Sequence, residues 1–126
     1  MSQADADQAL EALLSRLHDG IVRGDIEAVM RCFHPAAQMH DALEGGLVTG
    51  HDEIRAYYLR QFATVRADAS LLSVLHCEAE MFDTLVQVMV RGVDGGFWWE
   101  GQIRAVYQLR DGLIASIEVT EPHDPI

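Results

Sequence analysis

The chain is expected to fold as one α+β domain, with helices first and a mainly antiparallel sheet after them. Two observations predict this. Apolar residues recur at the three- and four-residue spacing of helices through the first half, and at the two-residue spacing of strands from Ser70 onward. Short turn signals then join the strands directly, which makes neighbours antiparallel and keeps the helices apart from the sheet.

The elements follow in order. Ala6, Leu10, Leu13, Leu14, Leu17 and Ile21 mark one face of a first helix, and Asp5 with Gln8 is spaced as a capping box. Gly24 offers a left-handed stop. Asp25 caps a second helix whose apolar face is Ile26, Val29, Met30 and Phe33, and Pro35 closes it. An extended piece over Ala37 to Ala42 precedes a turn at Glu44-Gly45-Gly46. Thr49, with Asp52 three residues on, begins a third helix that carries Ile54, Tyr57, Tyr58 and Phe62 inward and ends near Ala67. Strands then run from Ser70 to Glu80 and from Met81 to Gly92. Asp94-Gly95-Gly96 turns into Phe97 to Arg110, and Asp111-Gly112 is the hairpin signal before Leu113 to Glu121. The tail, residues 122–126, holds Pro122 and Pro125, cannot continue a ladder and is expected to be loose.

Alternation sorts the strands into two faces. Phe97, Trp99, Ile103, Ala105, Tyr107 and Leu109 share the side expected to face the helices, as do Phe82, Thr84, Val86, Val88 and Val90 on the strand before. The opposite side mixes charge with Leu85, Met89 and Trp98. That is too apolar for plain solvent, so a homodimer through this outer sheet face is expected.

Bulk properties narrow the function classes. A length of 126 residues suits a single domain, 1–126. No apolar run reaches membrane-span length. The start, MSQADADQAL, has no basic residue and no apolar core, so neither a secretion signal nor a membrane partner is expected, and the expected location is cytoplasmic. The formal net charge of −11 would repel a phosphate backbone, which argues against nucleic acid. Cys32 and Cys77 lie in apolar contexts and read as reduced, small hydrophobic residues.

Four segments together resemble the NTF2-like superfamily, in particular its SnoaL-like and ketosteroid-isomerase-like members. They are Arg23-Gly24-Asp25-Ile26-Glu27-Ala28-Val29-Met30 at the helix junction, Phe33-His34-Pro35-Ala36-Ala37 leading into a first strand, Gly50-His51-Asp52-Glu53-Ile54-Arg55-Ala56-Tyr57-Tyr58 at the third helix, and Arg110-Asp111-Gly112-Leu113-Ile114 at the last hairpin. The resemblance implies a cone: three N-terminal helices packed on a curved, mixed but mainly antiparallel sheet that encloses an apolar pocket. Members include isomerases, cyclases, dehydratases and non-catalytic binding modules, so the fold leaves the activity open.

By the same resemblance, Ala36-Ala37-Gln38-Met39-His40-Asp41 runs without a gap onto the family's general-base segment, with Asp41 at the base position. A carboxylate in an apolar pocket has its charged form disfavoured, which strengthens it as a base toward a proton beside a carbonyl. The isomerases' two oxyanion donors, a Tyr and a protonated Asp, fall here on Leu17 and Ala105, which cannot donate. His76, mid-strand among Leu72, Val74 and Glu78, is expected inward beside Asp41 as an acid–base partner or as a core-edge histidine. Phe33, Met39, Tyr57, Tyr58, Trp99, Tyr107 and Glu118 complete the expected pocket lining with Leu17 and Ala105. No cofactor is called for. His34, His40 and His51 match no metal-site spacing, and no phosphate-binding glycine loop is present. Three functions stay open: an isomerase, cyclase or dehydratase acting on a small apolar carbonyl compound through Asp41, a non-catalytic binder of such a small organic ligand, and a dimerisation domain.

Overall fold

The computed structural model describes residues 3–41 and 45–119. Helix α1 (Gln3–Arg23) starts two residues before the expected cap, so Asp5 lies in its first turn. There its charge favours the positive helix end. Its leucines face inward: Leu10, Leu13, Leu14 and Leu17 are all buried. Gly24 takes a left-handed φ of 67°. Asp25 then caps the short helix α2 (Ile26–Met30) by accepting the Ala28 N–H at 3.2 Å.

Strand β1 (Phe33–His40) begins at Phe33, a residue expected on the second helix. Pro35 sits inside the strand and does not end a helix. The register against the last strand shifts between Phe33 and Gln38, so no regular ladder bond is asked of the proline. His34 Nδ1 accepts the Ala36 N–H at 3.0 Å within that irregular stretch. A short strand β2 (Leu47–Thr49), not foreseen, pairs antiparallel with β1. Helix α3 (Gly50–Thr64) follows; Glu53, one position beyond the expected partner, accepts the Thr49 N–H at 3.1 Å.

Three long strands come next: β3 (Val65–Glu78), β4 (Met81–Gly92) and β5 (Phe97–Arg110). The third helix therefore ends three residues before the expected end, and β3 starts at Val65 and not at Ser70. Pairing explains it, because Val65 meets Gly92 and Ala67 meets Val90, so β4 draws five more residues into the sheet. The β3–β4 turn uses Ala79 at φ 53°. An alanine gives no turn signal there, which is why the sequence reading carried the strand through to Glu80. Strand β6 (Leu113–Val119) is the last described element and follows a turn with Asp111 and Gly112 at φ 55° and 77°, as an Asp-Gly hairpin demands. The expected turn residue Glu44 and the segment from Thr120 through the tail lie outside the described residues.

The six strands form one open sheet in the order β2-β1-β6-β5-β4-β3. Among the described residues only the β1–β6 pairing is parallel. The expected inward row holds at its centre: Thr84 meets Ala105 and Phe82 meets Tyr107, and all four are buried. It fails at the far end. A register shift pairs Phe97 with Arg91 and breaks the alternation, leaving Phe97 63% exposed beyond the cover of the helices. The core lies between this face and the helices, where Tyr58 packs on Phe33, Tyr57 and Phe62 with ring centroids 5.1 to 6.2 Å away.

Candidate functional site

The helices do not fill the concave side of the sheet completely. Between α1, α3 and the inner sheet face lies a cavity of about 150 Å³. Its walls are mostly apolar, with Leu17 and Ile21 from α1, Met39 from β1, and Ile103 and Val119 from the sheet. Four polar side chains interrupt them: His18, Tyr58, Gln61 and Tyr107. Two wider grooves, about 430 Å³ between α1 and β3 and about 620 Å³ over β1 and β6, are more polar.

Burial sets the chemistry of these groups. It raises the Tyr58 phenol well above its usual range, and the neighbouring Tyr57, Tyr107 and Cys32 add to this. It raises Tyr107 to about 12. Both are therefore neutral hydroxyl donors at physiological pH. Burial lowers the pKa of His18, against a smaller opposing pull from the Asp68 carboxylate, so its imidazole is held toward the neutral form. Gln61 Nε2 donates to the Tyr57 hydroxyl at 3.3 Å, while its Oε1 is buried with no hydrogen-bond partner. An acceptor left in that state costs roughly 1–3 kcal/mol.

Asp41 is 5% exposed and lies two residues beyond Met39, just past the end of β1. It is not on the cavity wall. Arg60 of α3 donates to its Oδ2 at 3.3 Å. Its backbone is tied as well, with the N–H given to Gly46 at 2.9 Å and the carbonyl accepting the Gly45 N–H at 2.9 Å. The carboxylate is thus buried, and it faces a guanidinium.

His76 is not beside Asp41. Its register partner is Asp83 on the outer face, its side chain is 61% exposed, and it lies 3.7 Å from Glu78. The register shift between Val74 and His76 puts it on the face opposite Val74, with which it had been counted inward. Leu17, Met39, Tyr58 and Tyr107 line the cavity. Phe33, Tyr57 and Ala105 are buried in the core beside it and do not form its wall. Trp99 is 36% exposed, and Glu118 is exposed on the groove over β1 and β6. On the outer face Leu85 and Met89 are half-buried and Trp98 is 56% exposed. Of the three histidines weighed for metal, His51 Nε2 lies 2.8 Å from the Phe33 carbonyl, His34 is 3.7 Å from Asp111, and His40 is exposed. Among the described residues no group of three or more His, Cys, Asp or Glu side chains is placed to hold a metal.

His18 and Gln61 were not among the residues expected at the site. A signal for the first was present. His18 stands four residues after Leu14 and three before Ile21, on the edge of the stripe that faces the core. Gln61 follows Tyr57 and Tyr58 at four and three residues, so it shares their inward side.

Residues 14–117 match the family model described as a SnoaL-like domain. The chain belongs to the SnoaL-like family. Its open sheet and covering helices are the NTF2-like cone, and solved structures agree on the fold. A Mycobacterium tuberculosis protein in complex with estradiol-17β-hemisuccinate is 14% identical with a TM-score of 0.75, over 87% of this chain and 91% of that one. A Catenulispora acidiphila protein with a ketosteroid isomerase-like fold, in complex with trimethylamine, is 11% identical with a TM-score of 0.73, over 86% and 84%. An M. tuberculosis LEH-like epoxide hydrolase is 10% identical with a TM-score of 0.72, over 89% and 81%. At these identities the likeness is one of fold. No curated protein matches the sequence significantly. Within the SnoaL-like cone of this chain, Leu17 and Ala105 offer no donor, and the polar groups on the cavity wall come from α1, α3 and β5. No helix of the described residues is long and apolar enough to cross a membrane.

Proposed function

We propose that this SnoaL-like protein binds a small, mostly apolar organic molecule inside its cone. The observation that carries the reading is the cavity itself: a largely apolar hollow on which a few neutral polar groups converge, the usual character of a small-molecule site. Solved structures of similar fold that hold organic ligands support it.

A catalytic reading has one observation in its favour, the burial of Asp41 next to the strand that forms the cavity wall. In that reading Asp41 removes a proton from the carbon beside a carbonyl, as an isomerase, cyclase or dehydratase would, and a neutral Tyr58 or Tyr107 hydroxyl faces the developing enolate oxygen. The Arg60 guanidinium against the carboxylate speaks for the binding reading first. Proton exchange decides between the two. Small ketones are incubated in heavy water with wild type and with Asp41→Asn. Exchange that the wild type accelerates and the variant does not supports catalysis, whereas equal rates leave the pocket as a binding site.

The same proposal includes a homodimer through the outer sheet face around Leu85, Met89 and Trp98. The exposed indole at its centre supports this. Light scattering at micromolar concentration is expected to give a dimer that Trp98→Glu dissociates; a monomeric wild type would refute it. Unpaired Cys32 and Cys77 fit a reducing, cytoplasmic compartment.

A further inference from the structure

We infer that the free edge of β3 alongside α1 takes up an extended peptide segment rich in Lys or Arg as an added strand. The inference is independent of what the cavity binds.

The sheet order supplies the edge. β3 is the last strand of the sheet, so one side of its backbone has no neighbouring strand among the described residues. In an antiparallel strand every second residue turns both its N–H and its C=O away from the partner. Such a row of groups is a template for another chain. It is not equally usable along β3. Beyond Leu71, two register shifts leave Leu72 and Leu75 without a partner on β4, and both side chains are exposed. Bulges of this kind bend an edge and spoil it for pairing. Before them the register is unbroken, from Val65 opposite Gly92 to Leu71 opposite Val86. The regular edge is thus confined to residues 65–71.

A groove lies against that stretch. The hollow of about 430 Å³ is bounded by residues 68–71 of β3 on one side and by α1 on the other. An edge strand with a groove beside it can hold an extended peptide: main-chain hydrogen bonds attach it, and its side chains alternate between two faces. Here Ala69 and Leu71 pack toward the core, and Asp68 and Ser70 are exposed on the other face. Charge selects the occupant. Glu11 and Asp19 stand on the helix side and Asp68 on the strand, and no Lys or Arg is among the groove's walls. Asp19 is engaged by Arg23 at 2.9 Å, so Glu11 and Asp68 are the carboxylates offered to a partner. Arg66 and Arg91 form a pair nearer the start of the strand, outside the groove. The chain's formal charge of −11 acts in the same direction, attracting a basic segment and repelling a second copy.

The test uses the full chain and three short peptides, titrated by NMR: alternating Lys and Val, the same peptide with its backbone nitrogens methylated, and alternating Glu and Val. The Lys peptide is expected to shift the amide signals of residues 67–71 and to slow their exchange with solvent; the other two are not. Asp68→Lys, a change at an exposed site, is expected to weaken the Lys peptide about fivefold, the weight of one exposed ion pair. Unchanged signals far from β3 show that the variant is folded. Equal binding of the methylated peptide would mean attraction by charge without strand addition, and overturns the inference. So does unchanged affinity in Asp68→Lys, or no binding of the Lys peptide. Protection of the same amides in the chain alone as its concentration rises would assign the edge to a second copy, which overturns it as well.

Discussion

Removing Arg60 is expected to destabilise the protein more than removing the charge of Asp41. The two ends of the pair differ in burial: the Asp41 side chain is 6% exposed and the Arg60 side chain 44%. In Asp41→Asn the guanidinium is left over, and it can swing into water. The loss is then that of a partly exposed ion pair, about 0.5–1 kcal/mol. In Arg60→Gln the carboxylate is left over, and it cannot leave. Breaking a fully buried pair in this way costs roughly 3–5 kcal/mol. Water at the Arg60 end and the further interaction that Asp41 makes reduce this, so about 2 kcal/mol is the working figure. Urea unfolding followed by circular dichroism measures the difference. With a slope of about 1.5 kcal/mol per molar, the Arg60→Gln midpoint should lie roughly 0.7–1 M below that of Asp41→Asn. Equal midpoints, or a lower one for Asp41→Asn, would show that the carboxylate reaches solvent and would refute the buried placement.

Three further outcomes follow from the same packing. Tyr107 has its folded pKa raised to about 12, so the folded state holds a proton that the unfolded chain releases near pH 10; stability falls as pH rises between them, by about 1.4 kcal/mol at pH 11 from this group alone. Unfolding curves from pH 9 to 11 should show a shallower loss in Tyr107→Phe than in wild type. His18 has the opposite sign. Its folded pKa is lowered, so its share of stability is present above the ordinary value of 6.5 and is lost as pH falls through the folded value. His18→Gln should flatten that part of the acid limb, and a parallel shift of the whole curve would contradict it. Leu14→Ala, at a site 1% exposed in the core under α1, should cost about 2–5 kcal/mol in the same urea assay.

Much of the fold was legible because two periodicities do not resemble each other. Leu10, Leu13, Leu14 and Leu17 can share a face only on a helix, and the Asp111-Gly112 turn can join only a tight antiparallel pair. Boundaries were lost where pairing outweighed local preference. Val65 to Ala69 join β3 because β4 needs a partner along its length, and Phe33 begins β1 through its register with Ile114. The site was less legible, for a geometric reason. Alternation places residues correctly only while the register holds, as it does at Ala105 and Tyr107. The register shift after Val74 left His76 on the outer face. Asp41 was found buried, but its guanidinium partner lies nineteen residues away on α3, beyond any local pattern. The unsatisfied oxygen of Gln61 is a property of packing, and no spacing announces it.

A crystal structure grown in the presence of phenol tests the central claim most directly. The cavity reading predicts a ring held between α1, α3 and the sheet, walled by Leu17, Ile103 and Tyr107. Phenol bound only in the outer groove over β1 and β6, with side chains closed into the interior, would contradict it.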